Sequence, residues 1–169
     1  MPRSSPISAS SVRNFTFGVE DSLASTVGLL SGVASAQVGG QMIVLTGLIL
    51  IITEAMSMGM GSFLSDQSVR QLTRHKDVPS RQSVSGALIM FFSYLFSGLI
   101  PLAPYVFIPP KTALWLSIIL SLAALFLLGV INATIAQVPK LRQGIRMLIL
   151  GGLVAIGGIF IGNLLHQVS

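Results

Sequence analysis

Five long apolar segments, at about 17–36, 41–65, 83–108, 112–136 and 145–165, leave this chain few ways to fold. A helix needs about 20 residues to cross a hydrocarbon core of about 30 Å, and each segment is long enough. In lipid, only structures that satisfy their backbone polar groups internally can span, so the segments read as helices. The expected architecture is an all-α, polytopic membrane protein with five transmembrane helices in one domain, 17–169, after a polar cytoplasmic tail, 1–16. Composition agrees: 52% hydrophobic, 9% charged and a mean hydropathy of +0.84 are too apolar for a soluble domain.

The net charge of +5 and pI near 10.5 raise the question of nucleic acid, which the positions of the basic residues answer. With alternating spans, nine of the ten fall on one side: Arg3, Arg13, Arg70, Arg74, Lys76, Arg81, Lys140, Arg142 and Arg146. Lys111 falls on the other. This positive-inside pattern predicts a cytoplasmic N-terminus and an outer or lumenal C-terminus, with no nucleic-acid partner. The first 16 residues lack an apolar stretch followed by a small-residue cleavage site, so no removable signal peptide is expected. With no cysteine, disulfides and thiolate metal sites are excluded.

Against this apolar background Glu54 stands out, in the phrase Glu54-Ala55-Met56-Ser57-Met58-Gly59-Met60-Gly61. Translocon-derived scales put an acid at a helix centre at roughly 2.5 to 3.5 kcal/mol, so intramembrane acids are functional by default. Thioether sulfur beside it points to a transition-metal ion rather than sodium or calcium. At 100° per residue, Gly47, Glu54, Ser57, Met58, Gly61 and Ser65 share one face of the second helix, whereas Met56 and Met60 point the other way. On the first helix, Asp21, Ser25, Gly28, Gly32 and Ser35 form a matching stripe, and the Gly28/Gly32 pair permits close helix approach. Glu20 and Ser57 are weaker candidates. Counting from Phe17 and Ser65 as the cytoplasmic ends, Asp21 lies about 6 Å deep, Met58 about 10 Å and Glu54 about 16 Å, a ladder of donors.

The bland alternatives are specific. Glu54 would be an acid hydrogen-bonded across helices, Asp21 an interfacial acid at a helix N-terminus, and Met58 packing. His75 and His166, in a loop and near the chain end, read as solvated. In the third helix Pro101 and Pro104 predict a kink whose freed carbonyls line a cavity. The fifth is glycine-rich, which suits tight packing.

The chain resembles the vacuolar iron transporter family of iron and manganese transporters. The resemblance is carried by Gly18-Val19-Glu20-Asp21-Ser22-Leu23-Ala24-Ser25-Thr26-Val27-Gly28-Leu29, Ala55-Met56-Ser57-Met58-Gly59-Met60-Gly61, Gly98-Leu99-Ile100-Pro101-Leu102-Ala103-Pro104-Tyr105, and Leu150-Gly151-Gly152-Leu153 with Ile161-Gly162-Asn163-Leu164-Leu165. It implies a five-helix homodimer that moves Fe²⁺ or Mn²⁺ out of the cytosol in exchange for protons, between the two copies of helix 1. Asp21 matches the family's helix 1 carboxylate and Met58 its helix 2 methionine. Two departures stand out. The family's helix 2 acid falls at Leu50, one turn from Glu54, and the acidic cytoplasmic insert between helices 2 and 3 is replaced by a short basic loop, 66–82.

The expected function is therefore export of divalent iron or manganese by proton antiport, with Asp21, Glu54 and Met58 as metal ligands along the path and no bound cofactor. A metal arriving at a carboxyl competes with its proton, which is a physical route to exchange. The membrane would be the cell membrane in a prokaryote and the vacuolar or another endomembrane in a eukaryote. The alternative is a non-transporting membrane scaffold, which the glycine seams favour and which leaves Glu54 unexplained. An enzyme is not expected: the spans hold no Ser/His pairing and no phosphate loop, and neither acid has the Tyr-Asp or Gly-x-Gly-Asp context of an intramembrane protease.

Overall fold

The computed structural model describes residues 9–74 and 81–168, so the expectations for the first eight residues and for His75, Lys76 and Asp77 fall outside it. The described residues form five α-helices: α1 (Ala9–Ser35), α2 (Gly40–Arg74), α3 (Arg81–Phe107), α4 (Pro110–Ala136) and α5 (Lys140–Val168). Several overrun the expected spans, because apolarity marks only the lipid-length part of a helix while backbone hydrogen bonding continues into polar sequence. At 1.5 Å per residue, the 35 residues of α2 extend about 52 Å, well beyond a core of about 30 Å. Its polar end past Leu64 therefore projects from the apolar layer.

The helices alternate in direction. Asn14 on α1 reaches Ser62 on α2, Thr16 reaches Asn132 on α4, and Arg70 on α2 reaches Gln82 on α3, so these ends share one side of the bundle. Arg13, Arg70, Arg81, Lys140, Arg142 and Arg146 gather at this basic end, with Lys111 at the other. The turns are short. Gln37 and Gln137, just beyond α1 and α4, adopt the left-handed conformation that halts a helix, and Pro110 opens α4 at a position where a missing N–H costs nothing.

Only α2 to α5 are long and apolar enough to cross a membrane by composition. α1 falls short because it carries Asn14, Thr16, Glu20, Asp21, Ser22, Ser25, Thr26 and Ser31. It nevertheless runs through the centre of the bundle, packing against all four other helices, and Ser22, Leu23, Thr26, Val27, Leu30 and Ser31 are fully buried. A helix shielded from lipid by its neighbours has no need of a wholly apolar surface. The outer helices instead turn Ile49, Ile52, Ile131, Ile135, Leu153, Ile156 and Phe160 outward, where hydrocarbon would solvate them.

The seam between α1 and α5 is made of glycine. A Cβ on Gly158 would stand 2.0 Å from the Gly28 carbonyl oxygen, and one on Gly162 the same distance from that of Gly32. The Gly28/Gly32 pair thus meets the Gly158/Gly162 pair within one chain, where backbone-to-backbone approach replaces side-chain packing. At the end away from the basic residues, Leu30, Ile43, Ile51, Leu102, Tyr105 and Ala113 form a closed apolar cluster. The prolines of α3 lie within one continuous helix and are buried in it. The Pro101 carbonyl accepts from Ser117 Oγ at 2.7 Å, making this stretch a contact with α4.

Candidate functional site

The register of α1 against α2 is set near the basic end, where Asn14 Nδ2 donates to Ser62 Oγ at 3.1 Å. Asp21 is seven residues further along α1, and Glu54 is eight residues back along the antiparallel α2. Counted along the two helices, the two carboxylates therefore stand at nearly one level, about 1.5 Å apart in axial position, and Asp21 lies within the field of Glu54. This corrects the ladder counted from the ends of the apolar spans, which had placed Asp21 about 10 Å nearer the surface than Glu54. It also removes the bland reading of Asp21. The helix begins at Ala9, twelve residues earlier, and the dipole effect fades within the first turn.

Between α1, α2 and α3 a cleft of about 550 Å³ opens at the basic end, lined by Arg13, Asn14, Ser57, Met58, Ser62 and Ser65 among others. Met58 faces this cleft, one helical turn short of Glu54. Met56 and Met60 are 51% and 58% exposed on the outer surface, as the helical spacing predicts. The candidate side chains thus fall at two levels: Met58 and Ser57 line the cleft, and Asp21 and Glu54 stand further from the basic end. Glu20 goes elsewhere. It lines a separate pocket between α1, α4 and α5 with Thr16 and Asn132, whose side chains are joined at 3.0 Å.

A third helix contributes a group that the sequence did not single out. Tyr94 on α3 is completely buried, with its hydroxyl 2.7 Å from Ser25 Oγ and within the field of both Asp21 and Glu54. Ser22 Oγ donates to the Tyr94 carbonyl at 2.6 Å and fixes α3 against α1 at this level. Ser25 was legible as the next member of the Asp21 stripe. For Tyr94 the only available signal was a polar-tipped aromatic in mid-span, a residue that finds a partner when buried. Among the described residues no group of three His, Cys, Asp or Glu side chains is placed to hold a metal ion.

At the rim, Asp66 joins α2 to α3. Its carboxylate accepts from Ser83 Oγ and forms an ion pair with Arg70 at 3.1 Å, while Arg70 also donates to Gln82 at 2.9 Å. The Ser83 hydroxyl, with Arg70 and more distant Arg13 adding to it against partial desolvation, holds the Asp66 carboxyl below its ordinary value of 3.8. The stretch 66–82 expected as a loop is thus helical through Arg74 and again from Arg81, and these contacts tie the end of α2 to the start of α3. His166, near the end of α5, is exposed as expected.

Fold and site together define a multi-pass α-helical membrane protein with two acidic side chains at one level of α1 and α2, further from the basic end than a cleft that opens there. The chain belongs to the VIT family, whose model matches it at residues 12–81 and 72–163. The two matched stretches meet at the α2–α3 connection, where the basic loop lies. Similar proteins include vacuolar iron transporter 1 of Tulipa gesneriana, 24% identical over 204 residues, covering 85% of this chain and 83% of that one. Vacuolar iron transporter homolog 3 of Arabidopsis thaliana is 26% identical over 158 residues, covering 86% and 78%. Vacuolar iron transporter homolog 5 of Oryza sativa subsp. japonica is 28% identical over 164 residues, covering 88% and 77%. The tulip alignment is longer than this entire chain, so that protein has residues without a counterpart here.

Proposed function

We propose that this protein exports divalent iron, manganese or both from the cytoplasm in exchange for protons, as a homodimer, and so serves metal homeostasis and detoxification. The observation that carries the reading is that Asp21 and Glu54 stand at one level of α1 and α2, further from the basic end than the cleft that Met58 lines. The positive-inside rule turns the basic end, and with it the cleft, toward the cytoplasm. An entering ion meets a thioether first and two carboxylates next, a donor set better suited to Fe²⁺ or Mn²⁺ than to Zn²⁺, which prefers imidazole and thiolate. Metal and proton compete for the same carboxylates, which couples their movements. The names of the relatives support iron as cargo, and a vacuolar or other endomembrane in a eukaryote, with the cell membrane as the prokaryotic counterpart.

Dimerisation is supported by the site itself. Asp21 and Glu54 are each only partly buried, on the side where α1 packs most loosely against a neighbour, α2. Carboxylates open to lipid at this depth cost roughly 2.5 to 3.5 kcal/mol apiece, and a second copy covering them removes that cost. The scaffold alternative drew on glycine seams, and the Gly28/Gly32 and Gly158/Gly162 seam is occupied within the chain.

In proteoliposomes carrying a pH-sensitive dye, the wild type is expected to couple Mn²⁺ or Fe²⁺ flux to proton movement. Glu54→Gln should abolish both while light scattering still reports a dimer. Normal transport by that variant refutes the assignment of Glu54. A wild type that moves none of Fe²⁺, Mn²⁺, Co²⁺ or Zn²⁺ refutes the transport reading.

A further inference from the structure

The proposed function makes no use of the hydroxyl pair Tyr94 and Ser25. Near position 94, α3 carries plain rings: Phe91 and Phe92 meet edge to face at 5.0 Å, and Phe92 and Phe96 stack at 6.0 Å, while its other buried tyrosine, Tyr105, lies in the closed apolar cluster. At position 94 a fully buried ring carries a hydroxyl instead, and a hydroxyl withdrawn from water is costly unless it has a partner. Its partner, Ser25, lies one turn beyond Asp21 on the same stripe of α1. One hydrogen bond between two hydroxyls leaves one O–H and several lone pairs unused. Because Ser25 follows Asp21 by one turn on the same face of α1, its hydrogen bond sets the Tyr94 hydroxyl one turn beyond the Asp21 carboxylate, on the stripe that carries it.

Beyond this point the stripe that carries Asp21 and Ser25 continues only as Gly28 and Gly32 as far as the glycine seam. The next turns of α1 enter the glycine seam and the closed cluster of Leu30, Ile51 and Leu102. Donor softness is thus sorted by depth, with the Met58 thioether in the cleft and only oxygen at the inner end. We propose that Tyr94 and Ser25 form the oxygen-only inner wall of the ion path, adding neutral oxygens to Asp21 and Glu54 and favouring Mn²⁺ over Co²⁺ and Zn²⁺. The physical basis is that oxygen donors suit Mn²⁺, whereas softer donors suit the later ions. The inference rests on the transport reading and adds specificity-determining residues to it.

The test compares Mn²⁺, Co²⁺ and Zn²⁺ as single substrates in proteoliposomes of wild type, Tyr94→Phe and Ser25→Ala, with thermal midpoints in detergent as a check on folding. Tyr94→Phe keeps the buried ring and removes one oxygen. It should raise KM for Mn²⁺ about tenfold, as the loss of one contact to a charged group implies, and KM for Co²⁺ by less than about threefold, with Vmax within about twofold. Ser25→Ala should shift the Mn²⁺ preference in the same direction, and it stands in for Tyr94→Phe if that variant fails to fold. Unchanged KM ratios in a transporting protein overturn the inference while leaving the transport reading intact. An equal loss of Vmax for all three ions at constant KM also overturns it, because that is the signature of damaged packing. Absence of flux in the wild type overturns both.

Discussion

Moving the α2 carboxylate one turn deeper tests the register that brings Asp21 and Glu54 together. In Leu50→Glu with Glu54→Ala the acid keeps its face of α2 and shifts by four residues, about 6 Å along the axis. The Asn14–Ser62 bond places position 54 about 1.5 Å beyond the level of Asp21, so position 50 lies about 7.5 Å beyond it. One divalent ion bridging two carboxylates at metal–oxygen distances of about 2.0 to 2.6 Å needs oxygens no more than about 5 Å apart. A glutamate can lean back by part of that displacement but not by all of it. The ion in the double variant keeps one carboxylate and loses the other, and a lost contact to a charged group of roughly 1.5 to 3 kcal/mol corresponds to about a 10- to 150-fold rise in KM. The assay is Mn²⁺ uptake into proteoliposomes over a range of concentrations, on protein whose thermal midpoint matches the wild type. If KM stays within about threefold, the face of the helix is sufficient and the argument from depth is refuted.

Two further predictions concern the scaffold. Gly158→Ala brings a methyl to 2.0 Å from the Gly28 carbonyl oxygen, whereas Gly157→Ala meets nothing within 4 Å. The first should be less stable than the second by about 1 to 3 kcal/mol, the usual range for overpacking, since any gain in helix propensity is common to both. Equal thermal midpoints in detergent would dispose of the close α1–α5 seam. For Asp66, the folded carboxyl sits below its ordinary value of 3.8, so its stabilisation is fully present above that pH and is lost as pH falls through the folded value. The loss of stability on Asp66→Asn should therefore be visible at pH 7 and shrink progressively below pH 3.8. A difference in midpoint that persists unchanged into acid would rule out the ionised carboxylate as its source.

Much of the fold was legible because lipid is a demanding solvent. Apolar runs of spanning length permit little besides helices, and Pro109-Pro110 and the polar connections mark where they turn. The faces of α2 were equally legible from the 100° step, which correctly turned Met56 and Met60 outward and Met58 inward. Depth was not. Apolarity shows where lipid begins, whereas register depends on which side chains of two helices meet, and Asn14 with Ser62 carries no mark of that in the sequence. The glycine pair of α1 was recognisable as a site of close approach, yet its partner on α5 was not, since small-residue spacing names no neighbour.

The sequence by itself determined a five-helix membrane bundle, its charge asymmetry and the faces that carry Asp21, Glu54 and Met58, because each follows from transfer free energies and helical periodicity along a single chain. Only the tertiary structure decided that α1 is the inner helix, that Asp21 and Glu54 stand level, that Glu20 turns toward α4 and α5, and that Tyr94 joins them from α3. The reason is physical. Those facts depend on contacts between residues far apart in the chain, 116 positions in the case of Thr16 and Asn132, and packing between helices chooses among registers that no single helix can distinguish.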